Sequence, residues 1–276
     1  TSFTYTAPIT AQVSLLTPVP NTLRVRWMVN GTVQPVTLPE LNITASMLAP
    51  GQNTVKVSIE DTTAFLRVDG HGLLHRDSVS WTIVYAPATQ LVSSIVILGG
   101  AFPLSGVSMS DALRAAGSLP LSEPYSALGY QHIGGGGEQT SQAVLAVTGP
   151  NAIVDWVVVE LREPASTGAV FATRSALLQR DGDVVATDGT SPVAIPVTSG
   201  SSCRIAIHHR NHLGVMSAAA FPMNPSVPVV VDFTTAATAA YGTDARVDVN
   251  GRLCLWAGDA DGDGTIKYTG EENDRD

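Results

Sequence analysis

Lysine is almost missing from this chain of 276 residues, charged side chains make up only 14% of it, and it holds two cysteines. So few cations, with no basic stripe along the sequence to meet a phosphate backbone, argue against nucleic acid as a partner. Cys203 and Cys254 are too few for a disulfide framework and are not spaced for zinc. They are left either as one bridge in an exported protein or as two buried thiols. No apolar run reaches the length that spans a bilayer, so membrane insertion by a helix is not expected. Gly-x-Ser-x-Gly and His-Glu-x-x-His are both missing. An enzyme reading therefore has no nucleophile or metal motif to start from, and no catalytic residue is assigned.

What is present is alternation. AQVSLLTP, TLRVRWMVNG, NTVKVSIEDTTAFLRV and DSVSWTIVYAP place apolar residues at every second position between Pro, Gly and Asn. These read as half-buried strands with Trp27 and Trp81 directed to a core, which predicts an immunoglobulin-like β-sandwich over residues 1–88. The chain opens directly on strand-like TSFTYTAP, as a mature form or an excised part of something longer would. Tyr85–Gln90 (YAPATQ) reads as a short linker.

A second β-sandwich is expected over residues 91–257. SMSDALRAAG predicts one short helix near 109–116, with Ser108 or Ser110 as N-cap, Asp111 in the first turn and Gly117 as the stop. Residues 118–139 are punctuated by Pro and Gly and read as a long ordered loop. The glycines Gly134–Gly137 lack the following Lys-Ser/Thr of a phosphate cradle and read as a flexible turn. From AVLAVTG onward strands return, about seven in all. The continuous runs Val157–Val159 and Val229–Val231 suggest strands buried on both faces. A covering layer is then required: the helix, the first domain or another subunit.

The chain closes on GDADGDGTIKYTGEENDRD, residues 258–276, with seven acids against Lys267 and Arg275. Laid against a calcium loop, Asp259 takes position 1, Asp261 position 3, Asp263 position 5, Gly264 the sharp turn at 6 and the Thr265 carbonyl position 7. Position 12 is Gly270, so Asp274 is expected to supply the late carboxylate, with Glu271 as second choice. Oxygen-only donors in such a loop suit Ca2+.

This spacing resembles the dockerin-type calcium repeat, of which a second copy is missing. The blocks DALRAAGSLPLSEPYSALG, GGGGE, NAIVDWVVVELRE, TRSALLQRDGDVV, HHRNHLGVM, LWAGDADGDGTIKYTG and NDRD resemble a C-terminal β-sandwich module of large secreted bacterial surface proteins. The likeness covers roughly residues 91–276. It implies extracellular or cell-surface display, often after type IX export, and no enzymatic activity.

Three further clusters carry chemistry-bearing residues. In HHRNH, read as a strand, His208 and His212 share a face with Arg210 while His209 and Asn211 lie opposite. A transition-metal site would lack a third ligand, so hydrogen bonds to neighbouring loops are expected instead. Asp181, Asp183 and Asp188 read as an Asp-Gly hairpin turn or a second calcium site, and Asp69, His71 and His75 form a weaker group. The expectation is a non-catalytic, secreted, calcium-binding structural protein that self-assembles into a filament or surface layer. The alternative is an accessory module of a larger secreted hydrolase such as a peptidase.

Overall fold

In a computed structural model, the described residues are 2–5, 8–14, 23–62, 76–104, 106–165, 168–197, 202–259 and 265–267. Asp69, His71, His75, Asp261, Asp263, Glu271 and Asp274 lie outside them. The fold is all-β, as alternation predicts, and divides into two compact units, Thr1–Pro87 and Ala88–Asp276.

The first unit has strands β1 (Ser2–Tyr5), β2 (Ile9–Gln12), β3 (Leu23–Val29), β4 (Thr32–Val33), β5 (Glu40–Ile43), β6 (Gly51–Asp61) and β7 (Arg76–Tyr85). A five-stranded sheet in the order β1-β7-β6-β3-β4 is joined by the pair β2-β5. Alternate residues Val25, Trp27 and Val29 of β3, with Val55 and Val57 of β6, meet Leu41 and Ile43 of β5 in one apolar core. Trp27 is fully buried, whereas Trp81 is half-buried and stacks on it with centroids 6.2 Å apart. The β3–β4 turn places Asn30 at φ 50° and Gly31 at φ 81°, the left-handed pair that matches the twist of a two-residue hairpin.

The second unit follows after only Ala86 and Pro87, because Ala88–Gln90, read as linker, already belong to a strand. Its strands are β8 (Ala88–Ile95), β9 (Ile153–Arg162), β10 (Val170–Gln179), β11 (Asp183–Val185), β12 (Val193–Val197), β13 (Ser202–His209), β14 (His212–Met216), β15 (Phe221–Pro222), β16 (Val229–Asp232), β17 (Val247–Val249) and β18 (Arg252–Cys254). Nine of them form one sheet along the path β12-β8-β11-β10-β9-β13-β14, with β15 on β13 and β16 on β8. One face of β8, β9, β10, β12 and β13 builds the main core with Phe102, Met109, Phe233 and Leu255. Cys203 and Cys254 are buried free thiols in that core, and burial pushes each up to about 11.

Val157, Val158 and Val159 are fully buried, so β9 is covered on both faces, but Val230 is 67% exposed and the run 229–231 is not. The cover over β9 comes from the same unit: the helical turn Ala112–Ala115, one of the layers expected, lies against it, and the long loop adds a layer that was not expected. Leu119 and Tyr125 of the long loop, with Leu145, pack on Trp156, Val158 and Leu177 in a separate apolar cluster. Tyr125 donates its hydroxyl to the Trp156 carbonyl at 2.8 Å, and the Trp156 indole N–H reaches the Pro120 carbonyl at 3.0 Å.

Helices are minimal. The expected helix is one turn, α1 (Ala112–Ala115), with Asp111 at its N-cap position in place of Ser108 or Ser110 and Gly117 at φ 68° after it. AVLAVTG, expected as strand, contributes to a second single turn, α2 (Gln142–Leu145), whose N-cap Ser141 hydroxyl accepts from the Val144 N–H.

Candidate functional site

Two polar clusters of the second unit and the root of the acidic tail lie around the β13–β14 hairpin. The strand does not continue through HHRNH. It stops at His209, Arg210 and Asn211 form the turn, and His212 begins β14 directly opposite His209. That reversal overturns the expected face assignment: His212 shares a site with His209, with ring centroids 4.9 Å apart, and His208 points elsewhere.

The hydrogen bonds around this pair set both tautomers. The Gly100 N–H donates to His212 Nε2 at 3.1 Å, so the His212 proton resides on Nδ1. That proton faces Asn211 Oδ1 at 2.8 Å and His209 Nδ1 at 3.1 Å. His209 Nδ1 also accepts from the Asn211 N–H, at 3.3 Å, which leaves the His209 proton on Nε2 toward Asp155 Oδ2 at 3.4 Å. Arg210 closes the chain on the same Asp155 oxygen at 2.6 Å. Burial, and secondarily the neighbouring His209, lower His212 to about 3. A cleft of about 400 Å³ opens beside the pair, lined by Gly100, Ala101, Leu113 and Ala257 among others. A general base there would need a lone pair turned to substrate, and these lone pairs already accept from the chain's own donors.

The second cluster lies beneath the long loop. Gly134, Gly136 and Gly137 all have φ between 74° and 104°, and a Cβ on Gly135 would sit 2.4 Å from the Thr173 carbonyl oxygen. At Gly135 the turn is therefore fitted closely against strand β10. Its amides bind carboxylates of the same chain: Gly136 N–H donates to both oxygens of Glu138 at 3.1 Å, and Gly137 N–H to Glu123 at 2.9 Å. Burial pushes the Glu123 carboxyl up. Hydrogen bonds from Ser126 and Gly137, with His132 nearby, outweigh it and hold the group below its ordinary value.

The loop then meets β9 and β13. Tyr130 donates to Glu160, which also accepts from Arg162 Nε at 2.7 Å. The Tyr130 ring lies 5.8 Å from His208. Burial lowers the pKa of His208, while Glu160 and Asp259 oppose that shift electrostatically. Asp259, expected at position 1 of the calcium loop, is fully buried here.

Main-chain pairing brings it in: Leu255 N–H donates to Ile97 O at 2.8 Å, Leu213 N–H to Trp256 O at 2.9 Å and Gly258 N–H to Asn211 O at 3.2 Å. Thr265 is exposed. Among the described residues no three His, Cys, Asp or Glu side chains converge as a metal site; Asp261, Asp263, Glu271 and Asp274 fall outside that set. The junction of Tyr130, Glu160, His208 and Asp259 was missed in the sequence because its members come from four separate segments.

Asp181, Asp183 and Asp188 do not converge as a metal site. Asp188 accepts from Thr190 N–H, Ser191 N–H and the Ser191 hydroxyl, which pull its pKa down. Asp183 is pushed up by burial, then by Asp181 and Asp232. The hairpin turn is the arrangement found, with Gly182 at φ 106°.

No family model matches the chain, and no curated protein matches it. Among solved structures, it is similar to the Bacteroides ovatus mixed-linkage glucan utilization locus protein SGBP-B in complex with a mixed-linkage heptasaccharide, at TM-score 0.22 and 12% identity over 80% of this chain and 52% of that one. A quinonprotein alcohol dehydrogenase-like protein from Bacteroides thetaiotaomicron gives TM-score 0.23 and 9% identity over 78% and 44%. The chain thus spans about half the length of these structures or less, and likeness at this level carries no argument about function.

Proposed function

We propose that this is a non-catalytic, calcium-binding structural protein of the cell exterior that associates with copies of itself. The observation that supports it best is the placement of Asp259. A free acidic tail would carry its first carboxylate into solvent, whereas this one is fully buried at the end of a paired segment. Burying a carboxylate is costly unless positive charge or donors compensate it. A divalent ion held by the loop that starts there would add such charge. The donor set fits Ca2+ by chemistry: carboxylates of Asp259, Asp261, Asp263 and Asp274 or Glu271, with the Thr265 carbonyl, are all oxygen.

The polar clusters are consistent with a structural role, since their groups are spent on positioning the hairpin, the loop and the tail root. Titration calorimetry of the full chain tests the assignment. Calcium should bind in preference to magnesium, and Asp261→Ala should remove that binding; equal calcium binding by the variant would sink it.

A further inference from the structure

Strand pairing in the first unit creates a surface that no single strand reveals. On the face of its sheet away from the core, Arg24 of β3 stands opposite Glu60 of β6, which stands opposite Arg76 of β7. The next row is Arg26, Ser58 and Ser78, and the next Met28, Lys56 and Ser80. Glu60 is the carboxylate shared by the first row, 2.6 Å from Arg76 and 3.8 Å from Arg24. Arg26 and Lys56 have no acidic partner among the described residues. These four cations line an open groove of about 530 Å³ that also includes Asp77 at its edge.

The chain as a whole carries −9, yet residues 1–87 hold five cations and five acids, so all of the net charge lies in residues 88–276, which hold ten cations and nineteen acids. Like charges side by side on a sheet repel, and a cationic face of this kind gains from an anionic occupant.

We infer that this face docks the acidic segment that follows the buried Asp259, residues 260–276, of a second copy of the chain. This rests on the self-association reading above and supplies its contact. Complementarity carries the choice of occupant: the segment holds six acids and two bases and is the densest negative charge in the sequence. Glu272, Asp274 and Asp276 occur at alternate positions. An extended chain would present them along one side at a repeat of about 6.6 Å, the same repeat that separates Arg24 and Arg26 on β3. Glu272 and Asp276 are not among the candidate calcium ligands and remain available when the loop is loaded. The groove has no aromatic lining residue on which a sugar ring would stack. A contact from one copy's tail to the next copy's first unit is heterologous, and if its rotation does not close it propagates as a filament.

The test is fluorescence anisotropy of a labelled synthetic peptide, residues 260–276, titrated with the full chain in chelator, so that calcium occupancy does not enter. The native chain should bind the peptide, at least about tenfold more weakly once salt is raised from 50 to 500 mM. Arg26→Glu with Lys56→Glu should abolish binding while far-UV circular dichroism stays native. A peptide with Glu272→Lys and Asp276→Lys should fail on the native chain and bind the reversed face, a rescue that misfolding would not produce. Undiminished binding of the native peptide by the reversed face, or its absence from the native chain, would overturn the inference. So would heparin capture by a chain that ignores the peptide. Such failures leave the wider self-association reading to particle imaging, which reports on copies joined by any surface.

Discussion

His212 is buried, neutral and the acceptor for Gly100 N–H, so two consequences can be derived from one ring. Removing it as His212→Ala deletes a buried ring together with the acceptor of the Gly100 N–H, at a cost of about 0.5–3 kcal/mol in urea denaturation. The second consequence concerns pH. Its folded pKa, about 3, lies below the ordinary 6.5, so between these values the unfolded chain binds a proton that the folded chain does not. This contribution to stability is complete above about pH 6.5 and is lost as pH falls toward 3. The native protein should therefore lose denaturation midpoint steadily over that window. The His212→Ala variant should lose less over the same interval, because its unfolded state lacks this proton site. Equal pH slopes for the two proteins would show that the titrating groups lie elsewhere.

The long loop 118–139 holds its shape through donors and acceptors far apart in sequence, and its glycines fall into two kinds. Gly134 is left-handed at φ 74° with open space where a Cβ would go, while Gly135 lies against the Thr173 backbone. Gly134→Ala should cost about 1–2 kcal/mol, the strain of an L residue in that region. Gly135→Ala must move the loop or strand β10, should cost more than Gly134→Ala, and should raise amide exchange around Tyr125 and Tyr130. Matching losses for both variants in thermal melts would refute the distinction.

This contrast also marks what could be read from the sequence. Strands announced themselves, since half-buried strands must alternate, and the order of the loop was anticipated from its length and punctuation. Its role as the cover over Trp156 was not, because that depends on Tyr125 reaching the Trp156 carbonyl across 31 positions. HHRNH was misassigned for a related reason: its turn holds Arg210 and Asn211 with neither Gly nor Pro to signal a reversal. Spacing singled out Asp259 as the expected start of a calcium loop, but its burial near His208 was not expected. The absence of a basic stripe was true of the linear sequence and misleading for the surface, which takes three strands in register.

For the whole molecule the question is what calcium would change. Each unit has an apolar core of its own, centred on Trp27 in the first and on strands such as β9 in the second. Neither core depends on the tail, so an ion bound there acts locally, stabilising the loop by mass action in proportion to its occupancy. Loss of calcium should loosen residues beyond Gly258 before it affects either sheet. It should also release the tail from the ordered loop that presents it to a neighbour, so the contact between copies loses its fixed geometry although the free segment is still attracted by the cationic face. Chelation of native material should thus shorten or disperse particles in electron micrographs while the β-sheet signal in far-UV circular dichroism persists, and added calcium should restore particle length. Loss of the sheet signal together with particle length would instead place calcium in the folding of the second unit. Monodisperse single chains with and without calcium would rule out self-association and favour an accessory module of a larger secreted hydrolase.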